Sequence, residues 1–427
     1  MGRRRSTLLA GISAAAVLAL AACGGGTGSG STGGGTATNA GGKKVSSIKL
    51  VAAEYSQEHT KAFWDQFAAA YKKKYGIALD VQIVSWNDIA QQSSTMVQNG
   101  NPPDILNINY YSSYAKDNLL YSADDVLPSS VQSDLLDAFK ASGTFNGKLY
   151  GFPDLSSARA LFYNKTLFSK AGISKPPTTW DEFESDAKKV QALGNGVVGY
   201  VEPLGPEEAQ AEFSIWAFNN GGDWKDASGK WTIDSDKNVE TLAFLKKLAV
   251  DDKVSQNNPG KTNRTDGAFP LFSTGKAGMI VGFGPLAATL DKDKKVDYGI
   301  APMPTKGATE PQTYGVTDYL NAFKKGGNQE AVKDFYELYY QPDQVNQFIK
   351  AEGFLPVTKS GLDVFKSIPA LKVYIDTLPN IHLTPNQDPT WDKVLLAVQQ
   401  QIGSGVAANG DPKKVLEKLQ KTAEAGG

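Results

Sequence analysis

The sequence predicts an α/β protein in which a mostly parallel sheet is covered by helices and the folded body is divided into two lobes. Two observations support this prediction. Apolar, β-branched segments alternate with helical patterns between residues 47 and 108, and such alternation is typical of parallel sheets with crossover helices. About 380 residues follow the N-terminal segment, which is more than one hydrophobic core usually holds.

The first elements can be assigned in order along the chain. The stretch "SIKLVAA" predicts a strand, and "TKAFWDQFAAAYKKKYG" predicts a helix with Phe63, Phe67 and Tyr71 on one face. Gly76 ends this helix, and "ALDVQIV" predicts the second strand. "DIAQQSSTMVQNG" then predicts a helix that ends at Gly100, and "PPDILNIN" predicts the third strand. Ligands of open α/β sheets bind beyond the carboxyl ends of the strands, so the segments after these strands are candidates for a site.

Polar and aromatic side chains follow each of the three predicted strands. The chain contains seven Trp and 17 Tyr, and aromatic faces of this kind pack against sugar rings. Amides and carboxylates supply the hydrogen-bond partners that sugar hydroxyls need when they are buried. The candidate ligand-binding residues in these segments are Glu54, Tyr55, Trp86, Asn87, Asn109 and Tyr110.

The N-terminal segment has the organisation of a secretory leader. Arg3, Arg4 and Arg5 precede a short apolar run, and residues 1–22 are therefore predicted to be a signal peptide. "LAAC" resembles a bacterial lipobox, which would make Cys23 the site of lipid attachment. The alternative is a plain signal peptide with a chance cysteine. Residues 23–44, rich in Gly, Ser and Thr, are predicted to form a flexible tether to the membrane.

The charge of the chain argues against a nucleic-acid partner. Lys and Arg total 44 and Asp and Glu total 45. Without the three arginines of the leader, 41 basic residues stand against 45 acidic ones, a net charge of −4. No basic stripe accompanies this weakly acidic balance.

Motifs for cofactors, metals and catalysis are weak or missing from the sequence. "GFGPLA" formally fits a dinucleotide fingerprint, but it stands far from the first strand–helix unit. His59 and His382 are the only histidines and have no metal-ligand spacing. The adjacent Glu207 and Glu208 are interpreted as solvated loop carboxylates. The sequence therefore predicts no cofactor, no metal site and no catalytic residues.

Several motifs, in order along the chain, resemble those of one protein family. "GKLYGFPDLSSARALFYNKTLFSKAGISKPPTTWDEF" resembles a hallmark of the extracellular solute-binding proteins of bacterial sugar importers, the group typified by maltose-binding protein. "NNGGDW", "FSTGKAGMIVGFGP", "DYGIAPMPTKG" and "EGFLPVTKS" resemble later landmarks of the same family. The resemblance extends from Ile48 to about Leu419.

The resemblance implies a type II periplasmic-binding-protein fold. In that fold each of two lobes holds a mostly parallel sheet with flanking helices, and a hinge joins the lobes. The chain would cross between lobes near 154–158 and again near 314–318. The implied organisation after the leader and tether is a first lobe of 45–154 and 314–360, and a second lobe of 155–313 and 361–427 that includes the C-terminal helices and tail.

The resemblance also implies polar ligand contacts at the crossings and in the second lobe. Asp154 and Ser157 lie at the first crossing, and Tyr314 and Asp318 lie at the second. Glu202 ends the predicted strand "VVGYVEP", where the family has a polar contact. These five residues are added to the candidates.

Two further aromatic candidates follow from the resemblance. Leu286 stands where the family often has a stacking tryptophan, so either Phe283 takes over as the platform or the site uses another face. Trp391, in "QDPTWDKVLLAV", resembles a second stacking position. Phe354 is interpreted as a packing residue.

The function implied is that of a monomeric, lipid-anchored sugar-binding protein on the extracellular face of the cell membrane. It would capture a di- or oligosaccharide between two closing lobes and deliver it to the permease of an ABC importer, without hydrolysing it. Cleft carboxylates favour neutral ligands, although Arg159 leaves an acidic or phosphorylated sugar open. Two alternatives remain: a secreted carbohydrate-active hydrolase, and a sugar sensor that serves a membrane receptor.

Overall fold

The computed structural model of the chain describes residues 45–306, 310–367, 371–378 and 381–426, without the side chains of Val373 and Thr377. The predicted signal peptide, the tether and Cys23 lie outside these residues, so their assignment stays a prediction. Within the described ranges, no helix is both long and apolar enough to cross a membrane.

Strands and helices alternate along most of the described chain. The strands are β1 (Ser47–Glu54), β2 (Ala78–Ser85), β3 (Ile105–Ile108), β4 (Thr144–Phe145), β5 (Lys148–Leu149), β6 (Gly151–Ala158), β7 (Ala160–Asn164), β8 (Val198–Val201), β9 (Ala277–Gly282), β10 (Tyr298–Ala301), β11 (Thr313–Ala322) and β12 (Ile381–Leu383). The α-helices are α1 (Thr60–Tyr75), α2 (Ile89–Gln98), α3 (Ser112–Lys116), α4 (Ala123–Val126), α5 (Ser129–Asp134), α6 (Asp137–Ser142), α7 (Lys165–Lys170), α8 (Trp180–Gln191), α9 (Ala209–Phe218), α10 (Asp236–Lys246), α11 (Phe269–Ser273), α12 (Gly284–Asp293), α13 (Gln329–Tyr339), α14 (Pro342–Glu352), α15 (Lys359–Phe365), α16 (Lys372–Thr377), α17 (Trp391–Gln401) and α18 (Pro412–Ala425). Short π-helical segments occur at Lys247–Asp251 and Arg264–Ala268, and 3₁₀ segments at Pro259–Lys261 and Ile402–Val406.

The larger sheet contains the predicted unit of three strands and two helices. Its strands lie in the order β12-β11-β3-β1-β2, and β6 also pairs with β11. Strand β1 is parallel to both β2 and β3, and its register with β2 runs from Ser47 opposite Ala78 to Glu54 opposite Ser85. The prediction of this unit is confirmed. Because the three strands are parallel, their carboxyl ends meet at one edge of the sheet.

Helix α1 shows how the sequence pattern produces this packing. Trp64, Phe67 and Tyr71 are buried on one face of α1, and the Trp64 ring stacks on Tyr339 of α13 with centroids 5.8 Å apart. Burial of each such side chain contributes about 1.5–3 kcal/mol. Gly76 then ends the helix with φ 74°, a left-handed conformation that glycine adopts at little cost.

The smaller sheet is mixed. Its strands lie in the order β10-β7-β9-β8, where β8 and β9 are parallel while β7 is antiparallel to both β9 and β10. The family resemblance implies mostly parallel pairing in each lobe. The difference arises at β7, which enters this sheet directly from β6 of the larger sheet and runs against its new neighbours.

Two adjacent chain segments connect the sheets. Arg159 is the single residue between β6, in the larger sheet, and β7, in the smaller one. Its backbone N–H donates to the Tyr314 carbonyl at 3.1 Å, and the Thr313 hydroxyl donates to the Arg159 carbonyl at 2.8 Å. The two crossing segments are therefore hydrogen-bonded side by side, close to the predicted positions of both crossings.

The lobe boundaries stay a prediction. One strand of the segment assigned to the second lobe pairs with the larger sheet. Strand β12 belongs to the part assigned to the second lobe, 361–427. It pairs in parallel with β11 in the larger sheet, with Thr313 opposite Ile381. The chain thus returns to the edge of the larger sheet before α17 and α18, which pack on each other and against α9 and α10 respectively.

Candidate functional site

One cavity of about 1150 Å³ is lined by residues from both sheets. This volume lies just above the range of about 300–1,000 Å³ that is typical of pockets for small organic ligands. The cavity lies at the carboxyl edge of β1, β2 and β3 and beside the crossing segments. Part of its lining comes from the larger sheet and part from the smaller sheet and its helices: Tyr55, Trp86, Asn109 and Asp318 on one side, and Arg159, Glu208, Gln210 and Phe283 on the other.

The structure brings most of the predicted site residues to this cavity. Those that line it are Tyr55, Trp86, Asn87, Asn109, Tyr110, Ser157, Phe283 and Asp318. Those that do not line it are Glu54, Asp154, Glu202, Tyr314 and Trp391. The role of all these residues with a ligand stays a prediction.

Tyr55 and Trp86 form an aromatic corner in the wall from the larger sheet. Each follows directly after a strand, β1 and β2 respectively, and the parallel register of these strands brings the two rings together. The ring centroids are 5.7 Å apart with an edge-on arrangement. Tyr55 also meets Phe354 edge-on at 5.1 Å. Trp86 is only partly buried and lines the cavity.

Asp318 forms the polar floor next to this corner. The register of β11 against β6 shifts between Asp318 and Tyr319, and irregularities of this kind redirect side chains beside functional sites. The Tyr55 hydroxyl lies 2.9 Å from Asp318 Oδ2. The other oxygen, Oδ1, is buried and accepts no hydrogen bond from any described residue. A buried acceptor without a partner costs about 1–3 kcal/mol, and a ligand hydroxyl would relieve that cost.

A chain of hydrogen bonds continues from Asp318 beneath the cavity. The Tyr55 hydroxyl also lies 3.1 Å from Asn107 Oδ1, and Asn107 Nδ2 donates to Asp154 Oδ2 at 3.0 Å. The Tyr339 hydroxyl donates to the other oxygen of Asp154. Asp154 therefore supports the floor from behind rather than facing the cavity.

Asp154 and Asp318, the two carboxyl groups in this series of hydrogen bonds, are hard to ionise. Burial raises the pKa of Asp318 to about 7, with the Tyr55 hydrogen bond acting in the opposite direction. Burial likewise raises the pKa of Asp154 to about 7, opposed by the hydrogen bond from Tyr339. Desolvation disfavours the charged form of an acid, so protons are held here near neutral pH.

Arg159 dominates the opposite wall. Its Nη1 donates to Ser157 Oγ at 2.8 Å, and its Nη2 pairs with Glu208. Its guanidinium carbon lies 3.7 Å from the centroid of the Phe283 ring. Phe283 lines the cavity as predicted, but this ring face carries the guanidinium, so the structure does not present it as a free platform for a sugar.

Trp391 lies away from the cavity, in an aromatic cluster at the start of α17. It is 1% exposed, its ring stacks on Trp231 at 6.2 Å, and Trp224 meets it edge-on at 5.3 Å. The structure therefore supports a packing role for Trp391 in place of the predicted stacking on a ligand. The sequence around Trp391 does not distinguish the two roles, whereas its tertiary neighbours do.

Two other predicted residues outside the cavity, Glu202 and Tyr314, are also held by protein contacts. Glu202 is fully buried behind the smaller sheet and accepts a hydrogen bond from Ser255 at 3.0 Å. Tyr314 is buried beneath Arg159, whose guanidinium carbon lies 5.9 Å from its ring centroid. Glu54 is half-buried at the end of β1.

The sequence reasoning missed many residues of the wall, among them Glu208, Gln210 and Phe354. The interpretation of Glu208 as a solvated carboxylate is wrong, because its side chain is 18% exposed and pairs with Arg159 and Arg264. One signal was present in the sequence. Beyond position 5, Arg159 and Arg264 are the only arginines in the chain, which suggests that each has a specific partner.

Comparison with known proteins agrees with this geometry. The sequence profile described as bacterial extracellular solute-binding protein matches residues 55–346. A Brucella abortus protein named only as a binding protein is 27% identical over 390 residues, which cover 88% of this chain and 92% of that protein. The diacetylchitobiose-binding protein of Streptomyces coelicolor is 26% identical over 302 residues, 68% of each chain. Maltose-bound MalE3 of T. maritima superposes with a TM-score of 0.78 at 20% identity, covering 89% of this chain and 99% of that one. The predicted type II periplasmic-binding-protein fold is confirmed.

The raised pKa of Asp318 predicts a dependence of stability on pH. Its pKa lies above the ordinary value of an aspartate, so its contribution to folding is present at low pH and is lost as pH rises through about 7. Asp318→Asn keeps an oxygen acceptor for Tyr55 and removes the titration. We expect the loss of unfolding free energy between pH 5 and pH 8 to be smaller in this variant by about 1–3 kcal/mol, measured by denaturant titration.

Asp65→Asn is the control for this experiment. Asp65 is an exposed carboxylate that pairs with Lys61 on the surface of α1, and its replacement should leave the pH dependence unchanged. An Asp318→Asn variant with the same pH dependence as the unmodified protein would contradict the prediction.

Proposed function

This chain belongs to the family of bacterial extracellular solute-binding proteins, and we propose that it captures a di- or oligosaccharide in the cavity between its two sheets. One observation carries the proposal. Aromatic rings and an unpaired acceptor lie side by side at the cavity floor. The Tyr55 ring lies 5.7 Å from the Trp86 ring, and its hydroxyl lies 2.9 Å from Asp318 Oδ2, while Asp318 Oδ1 has no hydrogen-bond partner among the described residues.

A sugar needs this combination because its two surfaces differ. The C–H face of a sugar ring is apolar and packs on an aromatic ring, which we assign to Trp86. The hydroxyls at the ring edge need donors and acceptors, and buried polar groups without partners are costly. Asp318 Oδ1 and Gln210 Oε1 are buried acceptors that have no partner among the described residues. Hydroxyl groups of a sugar would supply the missing donors.

The size of the cavity and the ligands of related proteins support more than one sugar ring. The volume of about 1150 Å³ exceeds that of a typical small-molecule pocket. Diacetylchitobiose and maltose are the ligands named for the two proteins described above. A micromolar dissociation constant, about −8 kcal/mol, is within reach of one aromatic platform and several good hydrogen bonds.

We further propose that the paired crossing segments act as the hinge between lobes. Ligand binding would favour a closed form, and the closed form would deliver the sugar to the permease of an ABC importer in the membrane. The protein would act as a monomer on the extracellular side, without a cofactor and without catalysis. Recovery of the bound sugar unchanged after prolonged incubation tests the last point, because a hydrolase would release products.

The import role has one competitor with the same fold. A sensor would bind its sugar in the same cavity and present the closed form to a membrane receptor. Deletion of the genes for the partner permease distinguishes the two, since uptake of the bound sugar would be lost only if the protein serves import.

Trp86→Ala is the variant that tests the site. A panel of neutral sugars, sugar acids and polyols is screened by thermal unfolding, because a ligand that binds only the folded state raises the melting temperature. For the sugar that does so, we expect Trp86→Ala to weaken binding by about tenfold or more, measured by titration calorimetry, with little effect on stability because the ring is partly exposed.

Trp391→Phe is the matched control. It shortens an aromatic side chain that is 1% exposed and outside the cavity, so it should lower the melting temperature and leave the affinity unchanged. The proposed site would be refuted if Trp391→Phe weakened binding and Trp86→Ala did not. Absence of any response across the panel would refute the carbohydrate assignment itself.

Lipid attachment at Cys23 is proposed from the sequence alone. Expression of the full chain in a bacterial host that processes lipoproteins should give a mature protein that begins at Cys23 and carries the mass of a lipid. Cys23→Ser should be released from the membrane fraction. A mature N-terminus elsewhere, without added lipid, would contradict the anchor and leave the plain signal peptide.

A further inference from the structure

The chain concentrates its arginines at one place. Beyond the leader it has two, Arg159 and Arg264, and both are buried beside the cavity, with 3% and 1% exposure. Every other basic side chain after the leader, apart from the two histidines, is a lysine. Arginine suits a buried ion pair because its planar group donates several hydrogen bonds in fixed directions and stays charged.

We propose that Glu208 sets the charge selectivity of the cavity. By pairing with both arginines it keeps the site selective for uncharged sugars, and without it the site would accept a ligand that carries a carboxylate. The proposal rests on the proposed carbohydrate function and names the residue that determines which class of carbohydrate is bound.

Glu208 occupies both arginines at once. Its Oε1 pairs with Arg159 Nη2, and its Oε2 lies 2.5 Å from Arg264 Nε. Glu208 itself lines the cavity. An anionic ligand could not pair with Arg159 Nη2 in the same place, because the Glu208 carboxylate already occupies it.

Several of the remaining donors of the two arginines are committed to the protein, whereas Arg159 Nε is buried and has no hydrogen-bond partner among the described residues. Arg159 Nη1 donates to Ser157, and its flat face covers Phe283. Arg264 Nη1 donates to the Val281 carbonyl at 2.7 Å, and its Nη2 donates to Glu212 Oε2 at 3.1 Å. The two arginines and two glutamates form a neutral, buried group of four charges.

The other charges on the cavity wall do not favour an anion either. The wall carries seven carboxyl groups and four Lys or Arg side chains, which are Glu58, Glu207, Glu208, Asp293, Asp318, Glu352 and Asp392 against Arg159, Lys292, Lys295 and Lys393. Even without Asp318, whose pKa burial raises to about 7, six carboxyl groups remain against four Lys or Arg side chains. Lys292 pairs with Glu58, and Lys295 lies 3.6 Å from Asp293. An anion at the unmodified wall would therefore meet more carboxyl groups than unpaired basic side chains.

Removal of the Glu208 carboxylate changes this balance. One positive charge would be left in excess in a buried place, and an uncompensated buried charge is strongly unfavourable. A carboxylate from solution would neutralise it and would take over the ion pairs that Glu208 made with the two arginines. Hydrogen bonds between charged partners are stronger than those between neutral ones. The vacated space lies at the cavity wall, so a small carboxylate has a route to it.

The experiment compares Glu208→Ala with the unmodified protein by thermal unfolding and calorimetry. The probes are sodium formate, sodium glucuronate and glucose, each at the same ionic strength. We expect formate and glucuronate to raise the melting temperature of Glu208→Ala and to bind it about tenfold or more tightly than the unmodified protein. No such response to formate or glucuronate in a folded Glu208→Ala would overturn the proposal.

Glu207→Ala is the matched control. Glu207 is the adjacent carboxylate and also lines the cavity, but it accepts hydrogen bonds from the backbone and hydroxyl of Thr265 and not from an arginine. It should gain no binding of formate. An equal gain in Glu207→Ala would show that any lost carboxylate has this effect, and would also overturn the proposal.

A second measurement applies if Glu208→Ala does not fold. The neutral sugar that binds the unmodified protein is compared with its own uronic acid, and we expect the acid to bind about tenfold more weakly or worse. Equal affinities would refute charge selection by Glu208. Failure of every neutral sugar, with a response to formate in Glu208→Ala, would instead refute the proposed function and leave the ion-pair role intact.

Discussion

The burial of carboxyl groups at the place where the chain crosses between two sheets is the constraint on which this structure depends. Asp154 on β6 and Asp318 on β11 lie on the two strands that pair there, and neither has a basic partner in the hydrogen-bond chain that links them. Tyr55, Asn107 and Tyr339 supply its hydrogen bonds. This series of hydrogen bonds runs from Tyr55, directly after β1, to Tyr339 in α13, and it fixes the cavity floor relative to both crossings.

Under the proposed function, the floor and the opposite wall have different roles in ligand recognition. At the floor an acceptor of Asp318 is left without a partner next to aromatic rings, which favours a ligand with hydroxyl groups on an apolar ring. At the wall the cations are already paired, with Glu208 between Arg159 and Arg264. Under the two proposals, a neutral sugar would pair with the Asp318 acceptor without disturbing the ion pairs of Glu208, so separate residues would select for hydroxyl groups and against charge.

The sequence predicts well whatever depends on local periodicity. The apolar pattern predicts β1, α1, β2, α2 and β3. The rule that ligands bind beyond strand ends identifies Tyr55, Trp86 and Asn109 as candidates, and all three line the cavity. Periodicity does not reveal which side of a crossing strand faces the cavity. The family resemblance implies a ligand contact for Asp154, but its side chain lies behind the cavity floor. Trp391 and Glu208 depend on partners far away in the chain, and those contacts became visible only with the tertiary packing.

A crystal structure of the protein with the neutral sugar found by screening tests the central account most directly. We predict that the sugar lies in the cavity with one ring face against Trp86 and a hydroxyl within hydrogen-bond distance of Asp318 Oδ1, while Glu208 keeps both arginines. A sugar bound outside the cavity, or one stacked on Trp391 with Asp318 Oδ1 still unpaired, would contradict it.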